Sequence, residues 1–325
     1  MRHPQTERRP AFYRLASTLV TVILVVAMSG CVQRGVHPLR SLGMSRANGD
    51  EPTSQDSFYG LAVARHLQAR YDDSQADCGG PTRPAILCSG ILFRATRTSD
   101  AYHAWNPNPS NPKGAVSFSW IRHDAQFRSL YLVRYSHGFV MIPHFFADKG
   151  GRLDPYYKME ITCVYPIDAE TDRRDLHGCG KYDAYPTTSV PCFDQGIDTA
   201  AKYVEHFRPE PRFAYSCSIP VGIGTPDSAR NFTMFVDTIR GLDSGAFEEW
   251  NEVLVREWPQ DIHTTIPLEA FFYQNGTPDG LAGAKHDQIN FKKQSGKWVP
   301  IIRFNMPASI GDRATFQYFP SEQTP

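Results

Sequence analysis

The segment ILFRAT, residues 91–96, is apolar apart from Arg94 and follows a turn of cysteine, serine and glycine, which predicts a short strand. The segment AVSFSW, residues 115–120, alternates apolar and polar side chains, as a strand does when one face of its sheet is buried. Between them, residues 101–113 contain asparagine–proline pairs, which cannot lie inside a helix or a central strand. The three segments therefore predict two strands separated by a loop.

Other parts of the chain alternate between strand and helix patterns. Further strands are predicted at residues 138–142, 158–164, 252–255, 268–273, 298–304 and 314–318. The spacing of apolar side chains predicts helices over residues 57–71 and 198–207. A third helix is predicted to start after an N-cap at Thr225, with Pro226 in its first turn, and to end at Gly241. With no repeat and no clear linker, residues 57–325 are predicted to form one α+β domain.

The N-terminus predicts export. Four arginines in the first 14 residues precede a mostly apolar run, residues 15–28, which is too short to span a bilayer but suits the core of a signal peptide. Ser29 and Gly30 before Cys31 are typical of a bacterial lipoprotein signal, so residues 1–30 are predicted to be removed and Cys31 to be lipidated. Such a lipid anchor holds a protein at a membrane without spanning it. Val32 favours an outer-membrane or cell-surface destination. The alternative is an ordinary signal peptide cut near Gly30, which gives a secreted form.

Residues 31–56 are polar and are predicted to form a tether between the anchor and the fold. The middle of the domain, residues 148–192, is rich in glycine, proline and cysteine and is predicted to be a disulfide-stapled insertion. Six cysteines remain after Cys31, an even number that predicts disulfides in an exported protein: Cys78, Cys88, Cys163, Cys179, Cys192 and Cys217. Local closure favours Cys78–Cys88 first and Cys163–Cys179 second, and the complete connectivity stays open. The spacing of the cysteines and histidines favours no metal site.

The charge balance argues against one class of function. The chain has 34 basic and 34 acidic residues, and removal of the first thirty leaves 30 basic against 33 acidic. A nucleic-acid-binding protein normally shows the opposite bias, concentrated in a stripe. No nucleic-acid partner is therefore expected.

Three short segments could carry chemistry: the strand with Arg94, the strand with Ser117 and Ser119, and residues 249–255, in which Glu252 opens a strand. Each has an ordinary structural interpretation on its own. An arginine near a strand end is usually solvated, a Ser-x-Ser pattern is usually the polar face of a sheet, and a glutamate before a strand is usually a surface residue.

Taken together and in this order, the three segments resemble the Arg–Ser–Glu class of mono-ADP-ribosyltransferases, which are similar to cholera toxin. More closely, residues 83–90, 101–107, 114–120, 267–273 and 296–303 resemble the halovibrin family of secreted bacterial NAD glycohydrolases. The resemblance spans roughly residues 57–320. It implies a mixed split-sheet fold of the ADP-ribosyltransferase kind, with NAD as the substrate in a cleft between the sheets and with no cofactor.

The resemblance also implies roles for residues. Glu252 would stabilise the sugar cation that forms when nicotinamide leaves, Arg94 would hold the phosphates, and Ser117 would orient the glutamate or the ribose. Ser119 is a further substrate-binding candidate. The aromatic residues considered for binding the substrate are Tyr102, Trp120, Tyr131, Phe139 and Trp250.

The sequence departs from the transferase pattern at two positions, of which the first matters for function. Trp250 stands where the transferases have a glutamate or glutamine that presents the acceptor, which favours water as the acceptor over a protein. Phe118 stands in place of a threonine and is predicted to point into the core. Glu269 and Asp287 are alternative catalytic carboxylates.

The leading hypothesis is an exported NAD glycohydrolase. One alternative is an ADP-ribosyltransferase toxin that modifies a protein of a host or competitor. A second is a non-catalytic surface lipoprotein that binds a partner through the aromatic loop at residues 102–105. A histidine-based hydrolase is less favoured, because nothing in the sequence pairs His103, His137 or His144 with a nucleophile.

Overall fold

A computed structural model of the chain describes residues 54–96, 115–128, 135–143, 159–167, 191–207, 218–222, 225–242, 250–257 and 268–318. Within these residues the fold is α+β, with four helices and a nine-stranded mixed sheet. None of the described helices is long and apolar enough to cross a membrane. The structure does not describe the predicted signal peptide, Cys31 or most of the predicted tether. The first helix begins at Ser54, three residues earlier than predicted, and so includes the last residues of the segment predicted as tether.

Four α-helices and nine strands follow one another along the described residues. They are α1 (Ser54–Asp72), β1 (Ile91–Thr96), β2 (Ala115–Ile121), β3 (His137–Met141), β4 (Met159–Tyr165), α2 (Ala200–Phe207), β5 (Ile219–Pro220), α3 (Ser228–Gly241), β6 (Glu252–Glu257), β7 (Leu268–Gln274), α4 (Gly280–Ser295), β8 (Ile301–Asn305) and β9 (Thr315–Gln317). Every predicted helix and strand is confirmed to within three residues at its start and two at its end, whereas α4 and the short β5 were not predicted.

The strands lie in the order β5-β4-β6-β2-β1-β3-β7-β8-β9. Neighbouring strands are antiparallel except β7 and β8, which run parallel and are connected through α4. Strand β2 changes partner along its length. Its first residues pair with β6 up to Phe118–Val253, and its last residues pair with β1 from Phe93–Ser119 onward. The sheet therefore divides at β2, between a β5-β4-β6 part and a β1-β3-β7-β8-β9 part.

Two hydrophobic clusters cover the sheet. One contains Trp120 from β2, Phe232 and Phe235 from α3 and Phe291 from α4. The other lies beneath α1, where Val63, Leu67 and Tyr71 face inward at four-residue spacing against strand residues of β1, β7 and β8. Burial of each large apolar side chain contributes about 1.5–3 kcal/mol to folding.

The turn before β1 is fixed from both sides. On one side, the guanidinium of Arg70 in α1 donates to the carbonyls of Ile86, Leu87 and Gly90 at 3.0–3.1 Å. Burial lowers the pKa of Arg70. On the other side, Gly90 has a φ of +69° and lies against Trp120, whose ring would be 2.3 Å from a Cβ at this position. Only glycine satisfies both the conformation and the space, so β1 starts at a defined place.

The first predicted disulfide is confirmed. Cys78 and Cys88 are bonded across a Cα–Cα distance of 5.7 Å. Cys163 and Cys192 each belong to a further disulfide. Cys179 and Cys217 lie outside the described residues. Within the predicted insertion over residues 148–192, residues 159–165 form the predicted strand, β4, which pairs with β6 over its whole length.

The N-terminus of α3 also differs from the prediction. Thr225 is not the N-cap, because the helix begins three residues later, at Ser228. Asp227 takes the cap position with a φ of +60° and makes no side-chain cap bond. The N–H of Ala229 in the first turn of the helix donates instead to the carbonyl of Pro81, in the loop closed by the Cys78–Cys88 disulfide. A tertiary contact thus replaces the local cap.

Candidate active site

Arg94, Ser117 and Glu252 come together where the sheet divides at β2. They lie on three adjacent strands, β1, β2 and β6. The sequence separates Arg94 from Glu252 by more than 150 residues, so only the strand order makes them neighbours. The structure therefore brings together the three residues that were predicted as one site.

Arg94 contacts β2 through a main-chain atom. Its Nη1 donates to the carbonyl oxygen of Ser117 at 2.6 Å. In an antiparallel strand, alternate residues direct N–H and C=O towards the same neighbour. The ladder between β1 and β2 ends at Phe93–Ser119, so the carbonyl of Ser117 is the next one that would face β1. The guanidinium of Arg94 occupies the place of the missing main-chain partner.

Ser117 links this arginine to the carboxylate. Its Oγ donates to Oε1 of Glu252 in a short hydrogen bond across the β2–β6 pair. Ser117 faces Leu254 in the register, so Glu252 is its diagonal neighbour, within reach of a short side chain. The three residues form a continuous chain from guanidinium to carbonyl, and from hydroxyl to carboxylate.

The site is less exposed at its carboxylate than at its other two members. Glu252 is only 1% exposed, whereas Arg94 and Ser117 are half-buried. An ionised carboxylate in such surroundings exerts a stronger field than it would in water, because little solvent screens it. The arrangement suits stabilisation of a positive charge that develops beside Ser117.

Asn251 is a site neighbour that sequence analysis missed. Its side-chain Oδ1 accepts from the N–H of Trp120 at 2.8 Å, and its Nδ2 donates to the carbonyl of Trp120 at 2.7 Å. It is 2% exposed and directly precedes Glu252. An asparagine before a strand normally indicates a turn, so no sequence signal pointed to this role.

The aromatic candidates separate into two groups. Trp120 and Phe139 have no exposed surface and belong to the core, where Trp120 packs edge-on against Phe232 at 5.0 Å between ring centroids. This placement corrects the prediction that Trp120 binds substrate. Phe118 points into the same core, as predicted. Trp250 is half-buried and packs at 84° against Tyr135, with 6.1 Å between ring centroids.

The other predicted binding residues are placed as follows. Ser119 is 9% exposed and pairs with Phe93 in the β1–β2 ladder, next to the point of division. Tyr102 and Tyr131 lie outside the described residues. Of the predicted binding set, Ser119 and Trp250 are therefore the ones that the structure describes near Ser117 and Glu252.

Glu269, the first alternative carboxylate, belongs to a separate polar pair. It occupies a β-bulge of β7, because Ala270 faces Val140 and Leu268 faces Met141, which leaves Glu269 as the extra residue. Its Oε1 makes a short ion pair with Nδ1 of His66 in α1. Burial, reinforced by the charge of Glu269, raises the pKa of Tyr59 in α1 to about 12. Glu269 thus joins α1 to the sheet, four strands away from Glu252.

Asp287, the second alternative, lies in α4 and not in a loop. Its Oδ2 is 3.4 Å from Nε2 of His137, and Nδ1 of the same ring is 3.0 Å from Oγ of Ser136. This order of serine, histidine and aspartate has the members of a hydrolase triad, but all three side chains are buried, at 9%, 1% and 3% exposure, whereas Arg94 and Ser117 beside Glu252 are only half-buried. Gly283 closes over His137, so that a Cβ there would lie 2.4 Å from the imidazole. The group fastens α4 to β3.

Among the residues that the structure describes, no three His, Cys, Asp or Glu side chains are grouped as metal ligands would be. Comparison with known proteins found no protein-family model and no curated protein that matches the chain. The assignment of function consequently depends on the geometry at β2.

Proposed function

We propose that the protein is an exported NAD glycohydrolase that cleaves the bond between nicotinamide and ribose in NAD to give ADP-ribose and nicotinamide. The observation that carries this proposal is the continuous contact from Arg94 through Ser117 to Glu252, formed by three segments distant in sequence. The fold proposed is the split-sheet fold of ADP-ribosyltransferases, supported by the exchange of partners along β2.

The chemistry assigns a distinct role to each side chain. As the bond from C1′ to the nicotinamide nitrogen breaks, its electron pair leaves with nicotinamide and positive charge develops on the ribose. The Glu252 carboxylate stabilises that charge. Water then bonds to C1′ and loses a proton, which completes ADP-ribose. Ser117 holds the carboxylate in one orientation, and Arg94 provides forked donors for the phosphates.

Two further features support the proposal. The disulfide-bonded state of Cys78, Cys88, Cys163 and Cys192 suits an oxidising compartment outside the cytoplasm. Trp250 packs its ring against Tyr135 beside the glutamate, and so offers an apolar surface where a transferase would have a polar residue for its acceptor. The disulfides favour an exported protein, which the lipid at Cys31 would hold at the outer membrane or cell surface. Trp250 favours hydrolysis over transfer to a protein.

The test is to incubate the purified, mature chain with NAD and to measure nicotinamide and ADP-ribose. Wild-type protein should release both in equal amounts, and Glu252→Gln should lower the rate at least about a hundredfold. Glu205→Gln, which removes the same charge from the exposed surface of α2, is the matched control and should leave the rate unchanged. Circular dichroism checks that all three proteins are folded.

Three results would count against the proposal. A wild-type chain that releases no nicotinamide refutes NAD cleavage, and undiminished turnover in Glu252→Gln refutes the role of that residue. Transfer of labelled ADP-ribose to an added protein, in place of free ADP-ribose, would instead identify a mono-ADP-ribosyltransferase.

A further inference from the structure

Strand β2 loses its main-chain partner on both sides at the candidate site. On the β1 side, the guanidinium of Arg94 donates a hydrogen bond to the carbonyl of Ser117. On the β6 side, the ladder ends at Phe118–Val253, and continuing the same register places Asn251 opposite Trp120. There the side-chain amide of Asn251, instead of its main chain, bonds both the N–H and the carbonyl of Trp120. Two side chains therefore replace main-chain hydrogen bonds at two positions of one strand, three residues apart.

This substitution has a geometric consequence. The amide atoms of asparagine are three bonds from its Cα, farther than its own main-chain N–H and C=O. The chain at residue 251 must therefore lie farther from β2 than it does at Val253, where main chain pairs with main chain. On its other side β6 remains in register with β4, since Glu252 still faces Tyr165. The amide thus sets the width of the gap between β2 and the start of β6.

We propose that Asn251 is a positioning residue that fixes the distance between Glu252 and Ser117 by acting as a spacer between β2 and the start of β6. In the two buried bonds to Trp120, the amide oxygen of Asn251 accepts and the amide nitrogen donates. Only one orientation of the amide forms both bonds. Glu252 is the next residue, and its carboxylate must meet the Ser117 hydroxyl. The inference rests on the proposed NAD glycohydrolase activity.

Asn231 provides a matched control for stability. It is buried like Asn251, at 7% exposure, and its Nδ2 donates to the carbonyl of Pro220 at 2.8 Å. That bond joins α3 to β5, away from β2. Asn231→Ala and Asn251→Ala both remove a buried amide, so a purely structural role of Asn251 predicts comparable losses of kcat in the two variants.

The experiment measures kcat and KM for NAD in both alanine variants, at a temperature well below their unfolding transitions. Asn251→Ala should lower kcat about tenfold to about a hundredfold with a smaller change in KM, because the catalytic carboxylate is misplaced. Asn231→Ala should stay within about twofold of wild type. Equal kcat values in the two variants would overturn the proposal.

A second variant serves if Asn251→Ala does not fold. In Asn251→Asp, an ionised carboxylate would face the carbonyl of Trp120 without a proton to donate, whereas the protonated acid could form both bonds. The ratio of its kcat to that of wild type should therefore rise as the pH falls. A ratio of one at every pH would overturn the proposal. Absence of NAD cleavage by the wild-type chain is a different result, since it refutes the proposed function itself.

Discussion

Glu252 and Glu269 are two glutamates on strands of the same sheet, both at least 94% buried, and they differ in their partners. Glu252 accepts from the neutral hydroxyl of Ser117, whose main-chain carbonyl accepts from the half-buried Arg94. Glu269 meets the basic imidazole of His66 in a pair whose side chains are 19% and 6% exposed. A protonated imidazole balances the charge of a carboxylate, whereas a neutral hydroxyl orients a carboxylate without balancing its charge.

The surroundings of the two glutamates support the same distinction. Glu269 occupies a bulge and directs its charge at α1, the helix that covers the cluster containing Val63 and Leu67. Glu252 begins a strand at the place where β2 exchanges partners. Burial by itself therefore does not identify a catalytic carboxylate, and the chemical nature of its partner is the more informative property.

The strongest test of this comparison exchanges each glutamate for glutamine. Glu252→Gln should lose at least about a hundredfold in NAD cleavage but change the free energy of unfolding by less than about 1 kcal/mol, because glutamine still accepts from Ser117. Glu269→Gln should lose about 2 kcal/mol of stability, because the half-buried imidazole of His66 loses a charged partner, and should keep its turnover. Urea unfolding and nicotinamide release measure the two effects. Loss of activity in Glu269→Gln, with the fold intact, would reverse the assignment.

A smaller effect is expected at the serine strand. Ser117→Ala removes the hydroxyl that orients Glu252, and kcat should fall about tenfold. Ser119→Ala changes the same strand two residues further on, where the main chain pairs with β1. Its kcat should fall by about two- to threefold at most, because a role of Ser119 in binding substrate would change KM. Steady-state kinetics of the two variants distinguish a specific bond to Glu252 from a general effect on β2. If the two variants lose equally, the Ser117–Glu252 bond has no special role.

The smallest expected effect is a loss of folding stability at alkaline pH, through Tyr59, whose pKa Glu269 helps to raise. The pKa of Tyr59 is about 12 in the folded chain, chiefly through burial and further through Glu269. An unfolded tyrosine ionises near pH 10. Folding stability should therefore decline as the pH rises from about 10 to about 12, since the unfolded state releases the Tyr59 proton first. Tyr59→Phe should reduce this decline.

The measurement is the free energy of unfolding as a function of pH, together with the absorbance of tyrosinate. Glu269→Gln should lower the pKa of Tyr59 slightly, because it removes the lesser of the two causes. Glu252→Gln is the control and should leave the titration of Tyr59 unchanged. An unchanged titration in Glu269→Gln would show that the two groups do not interact.

Sequence patterns predicted most of the sheet, because short apolar or alternating runs bounded by turn residues are typical of strands with one or both faces buried. The same reasoning missed α4, where two glycines and many polar residues leave only a few buried positions, such as Ala284 and Phe291. It also missed the cap of α3, which is supplied by Pro81 from another part of the chain. Trp120 was misassigned as a ligand-binding residue because a tryptophan in an alternating strand can face either the core or a cleft.

The sequence by itself determined the α+β composition, the alternation of apolar and polar residues in β2, and the types of residue available for chemistry. It also indicated Arg94, Ser117 and Glu252, through a resemblance. Only the tertiary structure decided that these three are in contact, that Glu269 is paired with His66, and that Asn251 bonds β2. The physical reason is that local patterns record which side chains avoid water, whereas the order of strands in a sheet decides which polar groups meet.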